Sequence, residues 1–206
     1  YDLSVDANGV IIETTGGGAG GPFVPYMSGT DQIARTEGAA TYNTSLGFQA
    51  LQNLGAGGYN TTMGAKAGTA LTTGSQNVAI GAWALSAEDT GSNNVAIGYN
   101  ALQDLNYNGL GYNIGIGYDA GRNVTSGTYN NIMGGLAGDA LTSGARNIAI
   151  GYEALSTEDT GGDNVAIGFR ALKNQNVDSA FNIAIGKDAG KEVTTGVQNT
   201  IIGGKA

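Results

Sequence analysis

The sequence predicts an all-β fold in which short coils stack through parallel strands, a β-solenoid of about ten 17-residue coils. Three observations predict it: a fixed repeat, a two-residue alternation inside each repeat, and Gly at 37 of 206 positions, more than twice the usual ~7% share. The repeat is anchored on Asn43, Asn60, Asn77, Asn94, Asn113, Asn130, Asn147, Asn164, Asn182 and Asn199, at spacings of 17, 17, 17, 19, 17, 17, 17, 18 and 17 residues. Gly follows every anchor by four residues (Gly81, Gly98, Gly151 and Gly168 among them) and Ala by seven (Ala84, Ala101, Ala154, Ala171). Helices are not expected, because Gly and β-branched residues recur inside every unit and no 3.6-residue stripe persists. A hairpin sandwich is the competing arrangement, but near-constant spacing favours coils in register.

Each unit reads as four pieces. Bulky, small, bulky after the anchor, as in Val78-Ala79-Ile80 and Val95-Ala96-Ile97, has a period of two and predicts a short strand with one packed face. The Gly that follows marks a bend where a side chain would clash or φ is positive. A second segment runs through the Ala column, and a polar turn such as Thr73-Gly74 or Thr90-Gly91 closes the unit. The Asn column is either an amide ladder, each side chain donating to one neighbour and accepting from the other, or a turn residue that caps a strand. Asn77, Asn94, Asn113 and Asn130 recur as Asn147, Asn164, Asn182 and Asn199, so a four-coil module of about 70 residues reads as duplicated. The extra residues of the longer units are expected to bulge from one edge.

Residues 1–42 do not repeat and are expected to cap the stack or link it to a preceding segment, with 43–206 as the repeat domain. Leu3-Ser4-Val5 and Val10-Ile11-Ile12 around Asp6-Ala7-Asn8-Gly9 predict a hairpin. Gly16 to Pro22 reads as a linker, and Phe23, Val24 and Tyr26 around Pro25 as a plug for the first coil. The chain opens on Tyr1 without a visible secretory leader or an initiating Met, which reads as a fragment or a processed product.

Composition excludes much chemistry. With no Cys and no His there is no disulfide, thiol nucleophile, imidazole base or zinc finger. With 9 cationic against 17 anionic residues there is no basic patch for nucleic acid, and no apolar run long enough predicts a membrane-spanning helix. No cofactor is expected. Asp89-Thr90-Gly91 and Asp159-Thr160-Gly161 match the aspartic-protease triplet, but they are the repeat's own turn, one module apart, so no catalytic residue is assigned. Glu88, Asp89, Glu158 and Asp159 cluster oxygens at those turns, where a solvated acidic turn is expected and calcium is the weaker alternative. Trp83, Tyr99 and Tyr152 follow the Gly column and are candidate glycan contacts, against aromatic packing between coils or chains.

A few aliphatic side chains per unit do not offset the entropy of ordering 17 residues, so association with further copies is expected. The Ala column, a stripe of small side chains, is the expected contact face, most simply around a closed cyclic axis. Gly98→Val and Ala101→Leu are expected to disrupt the fold more than Glu88→Ala.

Asn-Val-Ala-Ile-Gly at 77–81, 94–98 and 164–168, and Asn-Ile-Ala-Ile-Gly at 147–151 and 182–186, resemble the head repeats of trimeric autotransporter adhesins. The fuller units Asn94 to Leu102 (NVAIGYNAL) and Asn147 to Leu155 (NIAIGYEAL) are similar to repeats of bacteriophage tail fibres and related viral adhesins. The resemblance spans 43–206, and unit length fits the phage type better, since adhesin heads usually have shorter units. It implies a left-handed β-roll, an intertwined or side-by-side homotrimer, and a place on a virion or cell surface. The function it implies is a non-enzymatic structural and adhesive fibre segment that meets a host glycan or receptor. A bacterial adhesin head and a self-assembling extracellular filament are the alternatives.

Overall fold

The structure, a computed structural model, describes residues 42–178 and 180–206 and, before them, only the strands β1 (Leu3–Val5), β2 (Ile11–Glu13) and β3 (Ala34–Arg35). Alternation after each anchor forms one short strand per unit: β4 (Asn43–Leu46), β5 (Thr61–Met63), β6 (Val78–Ile80), β7 (Val95–Ile97), β8 (Ile114–Ile116), β9 (Asn131–Met133), β10 (Ile148–Ile150), β11 (Val165–Ile167), β12 (Ile183–Ile185) and β13 (Thr200–Ile202). Each pairs in parallel with the next, like on like: Val78 with Val95, Ala79 with Ala96, Ile80 with Ile97. The described chain is therefore an all-β parallel solenoid of about nine turns between its first and last parallel strands. β3 adds to β4 in the antiparallel sense at the sheet's edge, and β1 pairs with β2 as the predicted hairpin, Leu3 opposite Glu13. The predicted turn at 6–9, the linker at 16–22 and the plug around Pro25 lie outside the described residues.

Hydrogen bonds link coils on every side, not through the strands alone. The turn after Gly is tied downward by Trp83 N–H to the Ala65 carbonyl at 2.9 Å and upward by Leu85 N–H to the Ala101 carbonyl at 3.0 Å. The bend itself demands glycine twice over. Gly98 has φ +135°, a region that side chains rarely tolerate, and a Cβ there would lie 2.3 Å from the Gly117 carbonyl oxygen of the next coil. The other corners use left-handed residues that are not glycine: Gln76, Trp83 and Leu85 in one coil have φ of 60°, 63° and 51°.

The anchor column is wholly interior from Asn60 to Asn182. Each side-chain oxygen accepts the backbone N–H of the next anchor: Asn94 N–H to Asn77 Oδ1 at 2.9 Å, Asn147 N–H to Asn130 Oδ1 at 2.9 Å. The amide nitrogen mostly donates across its own coil to the turn glycine, Asn77 Nδ2 to the Gly91 carbonyl at 2.9 Å and Asn147 Nδ2 to Gly161 at 2.9 Å. Longer amide-to-amide contacts accompany these, such as Asn164 Nδ2 to Asn147 Oδ1 at 3.1 Å. The ladder is thus side chain to backbone first, because a buried backbone N–H must find an acceptor.

The expected packing face is inverted. The Ala column (Ala84, Ala101, Ala154, Ala171) is 0% exposed inside each coil and cannot be the surface on which copies meet. The strand's small residues, Ala79, Ala96, Ala149 and Ala166, also point inward, against Leu85, Leu102, Leu155 and Leu172 in one core cluster. The interior is narrow, and the Leu from the second segment fills it, so the strand has room only for Ala. Size is exchanged where the Leu is missing: Ile132 occupies the strand position beside Gly138, whose Cβ would lie 3.3 Å from the Ile132 Cδ1.

Candidate interaction surface

With Ala inside, period two turns the bulky aliphatics outward. Val78 and Ile80, Val95 and Ile97, Ile148 and Ile150, and Val165 and Ile167 are each only half-buried, and Met63, Met133 and Ile202 are exposed. They form an apolar stripe along the sheet, unbroken at the third residue after each anchor and interrupted at the first by Thr44, Thr61, Asn131 and Thr200. Ten strands at ~4.8 Å spacing make it roughly 40 Å long. Monomers seldom leave a contiguous apolar patch of more than a few hundred Å² in water.

An aromatic-rich column flanks the stripe at each corner. Before the anchors stand Tyr42 and Tyr59, stacked at 5.0 Å, and Tyr112 and Tyr129, stacked at 5.3 Å. After the Gly bend stand Tyr99 and Tyr118 at 5.6 Å, and Tyr152 and Phe169 at 5.7 Å. In-register stacking produces these ladders, since one coil rise is close to ring-stacking distance.

The three candidate glycan residues do not converge. Trp83 lies one coil from Tyr99, and Tyr152 three coils beyond that, and each has one face covered: Trp83 by the Lys66 ammonium at 4.0 Å, Tyr99 by Tyr118, Tyr152 by Phe169. The acidic turns separate rather than pair. Glu88 and Glu158 are 0% exposed and so are not the solvated groups the sequence suggested, while Asp89 and Asp159 beside them are half-buried. Glu88 accepts Gly91 N–H at 2.7 Å and Tyr107 N–H at 3.2 Å; Glu158 accepts Gly161 N–H at 2.8 Å, Val177 N–H at 3.3 Å and Gln175 Nε2 at 2.9 Å. Donors therefore occupy these oxygens, and among the described residues no group of three or more Asp or Glu is arranged for a metal ion.

The reason is register. In a regular coil the turn N–H groups reach the next coil's carbonyl, as Thr72 N–H reaches Asp89 O at 2.8 Å. Above Glu88 and Glu158 lie the 19- and 18-residue units, whose extra residues displace that carbonyl. The carboxylate replaces it, standing in a column that elsewhere holds Leu71, Leu105 and Leu141. A Glu in a Leu column, one coil before an insertion, was a signal open to sequence reading.

Burial pushes the Glu88 carboxyl above its ordinary value of 4.5, against the hydrogen bonds from Gly91 and Tyr107 that pull it down. Between the unfolded value and the raised folded value the folded chain holds the extra proton, so this group's stabilisation falls as pH rises through that window. Glu88→Gln removes the titration and keeps the shape. Melting curves from pH ~4.5 to neutrality should show the wild type losing ground to Glu88→Gln as pH rises, with a level difference above. A difference that stays constant throughout would contradict this burial.

Core, ladder and outward stripe together define a class: a parallel β-solenoid repeat protein with one apolar face along its length. No protein-family model, curated protein or solved structure matches the chain. Among the described residues no helix is long and apolar enough to cross a membrane.

Proposed function

We propose that this chain is a non-enzymatic structural and adhesive segment of a homotrimeric fibre, of the viral tail-fibre or host-attachment kind, borne on a virion or cell surface. The single observation that carries the reading is the outward aliphatic column three residues after each anchor, unbroken from Leu46 through Ile97 and Ile150 to Ile202. With its flanking columns it covers roughly 40 Å by 20 Å, on the order of 800 Å² by strand dimensions. That is about the area a stable interface takes from each partner, ~800 Å². Three left-handed rolls facing a common axis would bury the stripe and make a stiff shaft. Its work is reach and repeated display: weak contacts to a host glycan or receptor, presented by three chains at once, add as avidity. No ion, cofactor or nucleic acid enters this reading.

Solution mass tests it. The wild type should run at three times the 20.7 kDa chain mass by light scattering. Ile97→Asp with Ile150→Asp, on the stripe but outside the core, should give a monomer with an unchanged β circular dichroism spectrum. A wild type that is monomeric at high concentration would end the fibre reading.

A further inference from the structure

The carboxylates of Glu88 and Glu158 do the same work in the two modules, but their surroundings differ by one residue. Each reaches the inserted segment of the coil above: Glu88 accepts the Tyr107 N–H, and Glu158 the Val177 N–H. The turn glycine of each lies against the carboxylate, and a Cβ on Gly91 or Gly161 would be 2.5 Å from it. In the second module a further donor arrives. Gln175, wholly buried, gives its Nε2 to Glu158 at 2.9 Å and accepts Asn182 Nδ2 on its Oε1 at 2.7 Å, which ties the carboxylate to the anchor column. The matching position in the first module is Leu105, equally buried and without a donor. A buried carboxylate with fewer partners keeps more of the cost of leaving water.

Nothing else near Glu88 offsets that cost. Asp89, next in sequence, is anionic and opposes its charge. The coil below brings Leu71 and Gly74 to this corner, and the coil above brings Leu105 and Tyr107, whose phenol is the one titratable group among the four. The segment that Glu88 holds stands out of the stack, with Leu110 53% exposed. The Tyr107 N–H bond to Glu88 is long, 3.2 Å, and so is the Thr90 hydroxyl bond to Asn108 Oδ1, 3.2 Å. Its backbone ties are Asn106 N–H to the Thr125 carbonyl at 2.8 Å and the bonds of Ser92 with Gly109 and Gly111, both 2.9 Å.

We propose that residues 106–111 form a pH-responsive loop, opening more readily when Glu88 is ionised and lying closed when it is neutral. Residues 176–178 stay closed in both states, because Gln175 compensates Glu158. Burial holds the Glu88 carboxyl above its ordinary 4.5 in the closed loop, and opening returns it to that value. Closure therefore weakens as pH rises from ~4.5 to the raised value and is level beyond it. For one proton the opening equilibrium changes by at most about ten-fold per pH unit. The device works within one chain and goes beyond the assembly reading above without resting on it.

Hydrogen exchange of single amides tests it, read as protection after correction for the intrinsic pH dependence of exchange. In the wild type the Tyr107 amide should lose protection between pH ~4.5 and neutrality, by up to ten-fold per pH unit. The Val177 amide, and the Leu85 amide that bonds the Ala101 carbonyl in the stack, should hold level. Glu88→Gln should make Tyr107 indifferent to pH. Leu105→Gln supplies the missing donor and should remove most of the dependence, while Gln175→Leu should bring the same dependence to Val177. A wild-type Tyr107 amide that ignores pH, equal dependence at Tyr107 and Val177, or a dependence that survives Glu88→Gln would overturn the loop. So would a loss shared by Leu85, which would mean that the whole stack opens and not one segment. Solution mass plays no part in this readout, so its failure leaves the fibre reading where it was, and a monomeric wild type leaves the loop where it was.

Discussion

Gly98→Ala lowers stability by about 3–5 kcal/mol, and Gly98→Val by more, because one added carbon meets two obstacles at once. The backbone is at φ +135°, and the new Cβ falls 2.3 Å from the Gly117 carbonyl oxygen. That oxygen belongs to the backbone of the next coil and cannot rotate away, so the coils must part and the hydrogen bond from Gly117 N–H to the Ile97 carbonyl, 2.8 Å, stretches with them. The melting temperature should fall by roughly 6–20 °C, at ~2–4 °C per kcal/mol for a chain of this size. Gly135→Ala is the control. It lies in a bend of the same kind, but φ is ordinary and its Cβ would sit at contact distance, 3.4 Å from the Tyr152 ring and 3.9 Å from the Tyr118 carbonyl oxygen, so it should melt within a few degrees of the wild type. Equal effects at Gly98 and Gly135 would contradict the close backbone approach on which the stack depends. Ala101→Leu, in a filled core, should cost about 1–3 kcal/mol by overpacking.

Asn147→Ala is the second large loss, about 2–6 kcal/mol for two stranded groups at one to three each. Asn147 Nδ2 serves the Gly161 carbonyl at 2.9 Å, and its Oδ1 serves Asn164 N–H at 3.0 Å. Alanine leaves that carbonyl and that N–H without partners in a closed interior. Asn123→Ala, at an exposed Asn outside the column, should change stability by less than ~0.5 kcal/mol. Urea unfolding of the two variants decides the matter: a similar midpoint for both would mean the ladder adds nothing beyond a turn preference. Glu88→Ala should be costly as well, because the side chain is interior and holds two backbone N–H groups.

Much of this fold was legible. Ten anchors at near-constant spacing predicted like-on-like pairing, and the pairing of Ile148-Ala149-Ile150 with Val165-Ala166-Ile167 is in that register. The Gly column predicted the bend. The left-handed corners at Tyr129, Arg146 and Leu155 were not legible, since these residues carry no local preference for φ near 55°, and only closure of the coil imposes it. The candidate surface was legible in its parts but not in its direction. Glu88 and Glu158 were read as solvated because acidic turns usually are; the displaced carbonyl of the longer coil draws them in.

The sequence by itself determined the period, the parallel register, the duplicated module and the glycines that allow coils to approach. Tertiary structure alone decided which side of each strand is inside. A two-residue alternation defines two faces and labels neither. Here the Leu of the second segment fills a narrow interior, so Ala79 and Ala96 face in, and Ile80 and Ile97 are turned outward.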